Sequence, residues 1–375
     1  MNLVEESFNL SFAGRLWRRG SFQSGVIHIV GQRLREGRRG RLLEVPFIIP
    51  PLADPHLHGG WGLSFQEGEF APLEERLKRI GVLLAIPTLY NDRLEHVREI
   101  AQAFSAYRAR VKDSIFPYLR IEGPFISPAK KGAQDKNFIL PAEPALVGEF
   151  LSISEIKMFT FAPEVPGSPD LVARALAQGK IPSIGHSQAV YDDFARVYRL
   201  GVRHMTHYPN ALSNLHHREI GLVGAGLLHD DLQLEVIGDG VHTSYEFLEL
   251  LRKLKGDGFA LTSDLIPPAL AEDKDEFQAE FIIEGRKITT RTGVLAGGAT
   301  PVPEQVVGLR QRGWPPETLV RLACENTRRF FGWPLYSLEE GAEATFLLCG
   351  ENLEVRAVFE KGLCLWRAKE WAELF

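Results

Sequence analysis

The sequence predicts an α/β protein: a (β/α)8 barrel of the TIM type carrying a small β-sandwich module built from both chain ends. Three observations carry that expectation. Between positions 48 and 335, eight apolar runs that end in a polar residue recur about every 20 to 40 residues. Most are followed by a stretch of helical periodicity, and strand–helix alternation repeated eight times is the arithmetic of a closed parallel barrel. The two termini instead alternate in short runs broken by glycine and charge, the pattern of antiparallel strands joined by tight turns.

In chain order, residues 1–47 carry the alternation Phe8, Leu10, Phe12 and two further runs, 25–31 and 42–47, which form the first half of the module. Barrel strands are expected at 48–54, 82–88, 116–122, 156–162, 181–186, 202–207, 232–239 and 259–264. Helical spacing marks 73–80, 93–111, 171–178, 190–200 and 245–254, with 302–311 and 317–331 after the eighth strand. Residues 336–375 return to strand chemistry at 344–349, 355–359 and 363–366, punctuated by Gly350 and by Lys361-Gly362. This division gives 1–47 and 336–375 to the module and 48–335 to the barrel.

Composition narrows the function. With 375 residues, 45% hydrophobic and 24% charged, the chain can bury a large core. A formal charge of -5 and a pI near 6.2 supply no bulk field for a nucleic-acid backbone or an anionic membrane. The arginines between Arg15 and Arg41 lack interleaved aromatics and read as solvated turns of the module. No apolar run approaches the roughly 18 residues that span a bilayer, and the start, with Glu5 and Glu6, lacks a signal pattern. Three cysteines, Cys324, Cys349 and Cys364, sit in apolar contexts and read as free thiols, which places the protein in the cytoplasm.

Barrels of this kind assemble their sites from the C-terminal ends of their strands, and here those ends are rich in metal ligands. His56-Leu57-His58 puts two imidazoles on one side of an extended backbone, where they chelate a metal or serve as hydrogen-bonded loop residues. Glu122, His186 and His207 end the third, fifth and sixth strands, a ligand set for a divalent cation with an open position, zinc or iron being the choices. Asp264 ends the eighth strand, either as an acid/base beside that cation or as a cap. The donor-rich loop 210–219 with Arg218, together with His242, is either a phosphate clamp or a solvated surface.

These residues and their surroundings resemble the N-acetylglucosamine-6-phosphate deacetylases of the amidohydrolase superfamily. The resemblance runs through Asp54-Pro55-His56-Leu57-His58-Gly59-Gly60, Ile121-Glu122-Gly123-Pro124-Phe125, Lys130-Lys131-Gly132 and Phe161-Ala162-Pro163-Glu164. It continues through Gly185-His186-Ser187, Thr206-His207-Tyr208-Pro209-Asn210-Ala211, His216-His217-Arg218-Glu219, Gly221-Leu222-Val223-Gly224, Asp239-Gly240-Val241-His242, Ser263-Asp264 and Leu295-Ala296-Gly297. It implies that Glu122, His186 and His207 hold the catalytic metal and that Asp264 is the acid/base, while His56 and His58 match members that can bind a second metal. Glu122 then takes the bridging place that a carboxylated lysine fills in related enzymes. Ala133, Gln134, Asn210, Ala211, Arg218, His242, Ala296 and Gly297 fall at substrate-binding positions, with Arg218 reaching a neighbouring subunit's site in a homodimer.

The implied reaction is hydrolysis of N-acetylglucosamine 6-phosphate to glucosamine 6-phosphate and acetate, with one or two zinc or iron ions per subunit. The alternatives are another N-acyl or cyclic amide as substrate, or a barrel that binds a sugar phosphate without turnover. Departures from the family are Gln134 in place of a histidine, Pro50-Pro51 ahead of the H-x-H, Tyr208-Pro209 after His207, and a divergent segment 267–292.

Overall fold

The computed structural model describes residues 10–371; Phe8 and the acidic pair Glu5 and Glu6 lie outside them, as do 372–375. Four strands come first, β1 (Leu10–Arg18), β2 (Ser21–Val30), β3 (Arg33–Glu36) and β4 (Arg41–Ile49). Next come β5 (Leu52–Leu57), the two-residue pair β6 (Gly59–Gly60) and β7 (Leu63–Ser64), β8 (Val82–Leu89), β9 (Leu119–Ile121) and β10 (Ile156–Phe161). The series continues with β11 (Ile181–Ile184), β12 (His204–Met205), β13 (Gln233–Ile237) and β14 (Phe259–Thr262). A hairpin, β15 (Phe281–Glu284) and β16 (Lys287–Thr290), precedes the last three strands, β17 (Phe346–Cys349), β18 (Val355–Glu360) and β19 (Leu363–Arg367).

Eight of these strands form one sheet in the order β14-β13-β12-β11-β10-β9-β8-β5, which follows the chain without a crossover. The ring closes between its first and last members: the Asp264 amide donates to the His56 carbonyl at 2.9 Å, and the Thr262 hydroxyl donates to the same oxygen at 2.9 Å. Helices fill the intervals: α1 (Phe70–Arg79), α2 (Leu94–Arg110), α3 (Pro144–Leu151), α4 (Ser168–Ala177), α5 (Tyr191–Leu200), α6 (Gly221–Leu228), α7 (Tyr245–Lys255) and α8 (Val302–Gln311). Two short helices, α9 (Pro316–Val320) and α10 (Asn326–Phe330), flank a π-helical turn, Arg321–Glu325, inside the expected helix 317–331. The fold is therefore the (β/α)8 barrel, with the chain ends paired in a separate seven-stranded sheet of order β19-β18-β17-β4-β1-β2-β3.

Three differences from the sequence reading have physical causes. The run 48–54 is divided, because Pro50 and Pro51 carry no amide hydrogen; β4 stops at Ile49 and β5 starts at Leu52. Helix α6, GLVGAGLL, escaped notice because it is apolar on every face and buried over six of its eight residues, so it has no 3.6-residue alternation to detect. The hairpin of β15 and β16 lies inside the divergent segment, turning at Gly285 with φ 64°.

The chain divides by its internal contacts into two compact units. One holds the residues up to Ala53, Glu75–Leu84 and those from Val302 onward; the other holds Asp54–Glu74 and Ala85–Pro301. In the first, Phe346 stacks on Phe359 at 4.8 Å, and Phe12 meets the Phe359 ring at 5.3 Å. In the second, the interior is polar as well as apolar. Arg120, with no exposure, donates to Glu235 at 2.8 Å, to the Pro55 carbonyl at 3.0 Å and to the Thr206 hydroxyl at 2.8 Å. Thr206 in turn meets Thr160 at 3.0 Å and Ser183 at 2.8 Å. Burial raises the Glu235 carboxyl to about 7 even though Arg120 pulls it down.

An ion pair this deep is costly to break and cheap to remove whole. Glu235→Ala, which strands the Arg120 charge, should lower stability by about 3–5 kcal/mol. The pair of changes Arg120→Met and Glu235→Leu should cost far less. Urea unfolding of the metal-free proteins measures both, and equal losses from the single and the double variant would refute this account.

Candidate metal centre

Every candidate ligand sits where a barrel strand gives way to its loop. His56 is the fifth residue of β5 and His58 follows its end, so the two imidazoles share a face, as period-two alternation requires. Glu122 follows β9 directly, while His186, His207 and Asp264 each lie two residues past β11, β12 and β14. Those three have left-handed backbones, with φ of 46°, 32° and 50°. A side-chain-bearing residue pays roughly 1–2 kcal/mol for that conformation, and such strain concentrates at functional sites. Gly185 makes the turn into His186 possible, since a Cβ there would lie 2.6 Å from Thr160 Cγ2 and 2.9 Å from Thr206 Cβ.

These ends bring two groups of ligand atoms together around one carboxylate. Glu122, His186 and His207 form one group and His56, His58, Glu122 and Asp264 the other; within each, the ligand atoms lie within 4.8 Å of one another. Glu122 Oε1 is 2.9 Å from His186 Nε2 and 2.7 Å from His207 Nε2, while Oε2 is 3.4 Å from His58 Nε2. Asp264 Oδ1 is 3.3 Å from Nε2 of both His56 and His58. The His56–His58 and His186–His207 Nε2 pairs are each 3.1 Å apart. Two imidazoles on one tetrahedral zinc stand about 3.3 Å apart, from a Zn–N bond of roughly 2.05 Å.

The surroundings prepare these atoms for a cation. His58 Nδ1 donates to the Thr88 carbonyl at 3.0 Å and His186 Nδ1 to the Lys130 carbonyl at 2.8 Å, which leaves each Nε2 lone pair facing the centre. Asp264 Oδ1 is buried without a hydrogen-bond partner. A buried acceptor left unpaired beside two imidazole nitrogens calls for a shared positive charge, and the set of imidazoles and carboxylates fits a divalent metal ion.

In the metal-free protein, protons supply that charge. Burial works against a proton on His58, but Asp264 and Glu122 override it and raise His58 to about 9. His186 is likewise raised, against burial, by Glu122. His56 moves the other way, held well below its usual range by burial and by the Arg120 charge beneath it. Glu122 stays ionised: burial would raise it, yet His186 and its other imidazole neighbours hold it well below the carboxylate range.

Above the ligands opens a cavity of about 970 Å³. His58, Glu122, His186, His207 and Asp264 form part of its wall, together with Ala133, Gln134, Asn210, Ala211, His242, Ala296 and Gly297. His56 lies behind them with no exposure, and Arg218 is exposed and outside this cavity. His242 Nδ1 meets Asp239 at 2.8 Å and Nε2 meets the Ala296 carbonyl at 2.7 Å. Two acceptors satisfy both nitrogens only when both carry hydrogen; burial opposes the charge, but Asp239 raises the imidazole above its usual value. Gln134, where a histidine was expected from the resemblance, donates Nε2 to Glu122 Oε2 and accepts the Asn91 amide at 3.0 Å.

The sequence reading missed Tyr90 and Asn91, which follow β8 and line the cavity, and Phe281 and Thr290 of the hairpin, which line it too. It also passed over Arg120, although its position two residues before Glu122 on one strand puts both side chains on the same face.

A closed parallel barrel with this buried cluster at its strand ends defines a class, the barrel hydrolases that work through a divalent metal ion. The amidohydrolase family profile matches residues 47–364, and the chain belongs to the amidohydrolase family. Within it the resemblance is to one branch. The N-acetylglucosamine-6-phosphate deacetylase of Bacillus subtilis is 26% identical over 342 residues, 86% of this chain and 85% of that protein. The crystal structure of the Thermotoga maritima enzyme of the same name superposes with a TM-score of 0.84 at 30% identity, covering 94% of this chain and 98% of that one. The Mycobacterium smegmatis N-acetyl-D-glucosamine-6-phosphate deacetylase shares the fold at 22% identity, with a TM-score of 0.85 over 95% of this chain and 99% of its own.

Because His58 is raised to about 9, it carries a proton at neutral pH in the metal-free protein and must lose it to become a ligand. Metal uptake at pH 7 should therefore release protons, and affinity should climb by about tenfold per pH unit until His58 is neutral. Titration calorimetry in buffers of different ionisation enthalpy measures this, and a binding heat independent of buffer would contradict it.

Proposed function

We propose that the chain hydrolyses N-acetylglucosamine 6-phosphate to glucosamine 6-phosphate and acetate. The observation that carries this reading is Asp264: a carboxylate on the wall of the cavity, buried, unpaired at Oδ1 and 3.3 Å from two metal-ligand imidazoles. Five candidate ligands need no further role to account for their convergence; Asp264 adds the group that moves protons. The names of the relatives supply the substrate.

Glu122, His186 and His207 would hold a divalent cation, whose Lewis acidity would activate the water and polarise the amide carbonyl. The rest falls to side chains. Asp264 accepts a proton from the attacking water as its oxygen bonds to the acetyl carbon, then returns that proton to the nitrogen as the C–N bond breaks. Glu122 stays ionised throughout, because the imidazoles around it favour its charge. Asn210, Ala211 and the doubly protonated His242 line the cavity where the sugar phosphate would lie, and a fixed positive charge at His242 suits a phosphate. Ala133, Ala296 and Gly297 complete that wall.

The finer assignments belong to the same proposal. Zinc or iron suits the imidazole and carboxylate donors, and the sharing of Glu122 by both groups accommodates two ions per subunit. Arg218, exposed and away from its own cavity, is assigned to the neighbouring subunit's phosphate, which makes a homodimer the working unit. The three free cysteines, two of them buried, suit the reducing cytoplasm. Among the described residues no helix is long and apolar enough to cross a membrane.

Purified protein should release amine from N-acetylglucosamine 6-phosphate, lose that activity to a chelator, and regain it with zinc or iron. N-acetylglucosamine without the phosphate should be a much poorer substrate. Metal-loaded protein that releases no amine from the sugar phosphate would sink the proposal. In the Asp264→Asn variant, turnover should fall by about 10²–10⁴-fold while the ion at Glu122, His186 and His207 stays bound, as mass spectrometry of the variant reads. Near-normal turnover by that variant would remove Asp264 from the mechanism.

A further inference from the structure

Hydrolysis of an amide develops negative charge on the carbonyl oxygen, and a donor fixed beside that oxygen is worth more than one recruited from water. This inference rests on the deacetylase reading and asks which side chain provides that donor. Gln134 stands nearest the bridging carboxylate, but its amide is committed at both ends, to Glu122 and to the Asn91 amide. Lys130 Nζ donates to the Leu212 carbonyl at 3.0 Å, and Lys131 Nζ to the Gly132 and Gln134 carbonyls at 3.2 and 3.0 Å. His242 is spent on Asp239 and Ala296. Asn91 also lines the cavity, but its side-chain Oδ1 and Nδ2 are buried against Gly123 rather than exposed on that wall.

Tyr90 differs from all of these. Its side chain lines the cavity, and its hydroxyl has no hydrogen-bond partner among the described residues. Its ring lies face to face on the His58 imidazole, with centroids 4.0 Å apart and planes within 6°. Its backbone amide is tied to Gln66 Oε1 at 3.0 Å, so both ends of the residue are held. A phenol stacked on the His58 imidazole lines the same cavity as Glu122 and Asp264. A phenolic hydroxyl is a hydrogen-bond donor.

We propose that Tyr90 is a catalytic residue whose hydroxyl donates a hydrogen bond to the acyl oxygen of the substrate and strengthens it as that oxygen becomes negative. The hydroxyl keeps its proton; the proton that travels is the one Asp264 carries. Gln134 is then a positioning residue, which holds Glu122 in place of the polarising role expected at its position.

The test is Tyr90→Phe in the metal-loaded protein, because phenylalanine preserves the stack on His58 and removes only the hydroxyl. With N-acetylglucosamine 6-phosphate, kcat should fall about 10²–10³-fold. KM should stay within about threefold and metal content should be unchanged, the pattern of an interaction made in the transition state. A methylphosphonamidate analogue of the sugar phosphate, tetrahedral at phosphorus, should lose affinity for the variant by the same factor as kcat/KM. A kcat within twofold of wild type, a change confined to KM, or a loss that tracks lost metal would each overturn the assignment while leaving the deacetylase reading intact. Wild-type protein inert toward this substrate would overturn both.

Discussion

A carboxylate almost wholly buried organises this molecule's working end. Glu122 emerges from a three-residue strand into a space walled by imidazoles, and its charge survives burial only because His186 and His207 lie against one oxygen while His58 and Gln134 attend the other. Each of those neighbours comes from a different segment of chain, so the arrangement exists only when the barrel is closed. The dependence runs both ways. Closure packs acceptors together at a density that needs positive charge, and a bound cation meets that need more completely than shared protons do.

The layer beneath explains how a barrel tolerates so much polarity at one end. Arg120 and Glu235 pair below the ligands, and Thr206 links Arg120 to the Thr160 and Ser183 hydroxyls. Asp54 accepts from the Thr262 hydroxyl and the Ser263 amide, joining the first barrel strand to the last directly under His56. Its carboxyl is raised to about 6 by burial, against the pull of those donors. The interior is therefore a stack of hydrogen-bonded floors, and the ligands stand on the uppermost. The left-handed turns at His186, His207 and Asp264 are held by this support, in a backbone that histidine and aspartate tolerate better than most side chains but still at a cost.

How much of this the sequence discloses depends on the kind of signal. Barrel topology is legible because strand and helix alternate at a regular interval, and even the short strand His204–Met205 is placed by falling between two neighbouring repeats. The ligands Glu122, His186, His207 and Asp264 are legible because they interrupt apolar runs at equivalent positions. Tyr90 is not, because a tyrosine after an apolar strand is unremarkable until its ring is seen against His58. Arg120 was in plain view between Leu119 and Ile121, yet a charge inside a strand has meaning only once Glu235 is known to face it from four strands away. Helix α6 marks the opposite limit: burial on all sides erases the periodicity by which helices are recognised.

The hairpin of β15 and β16 has a consequence for how such an enzyme can diversify. It pairs with itself in a two-stranded sheet and supplies no candidate ligand, yet Phe281 and Thr290 form part of the cavity wall. The candidate ligands and this part of the cavity wall are thus carried by separate lengths of chain, one on the barrel strands and the other outside the barrel sheet. A change confined to that hairpin would reshape part of the cavity wall and leave every candidate ligand on its barrel strand.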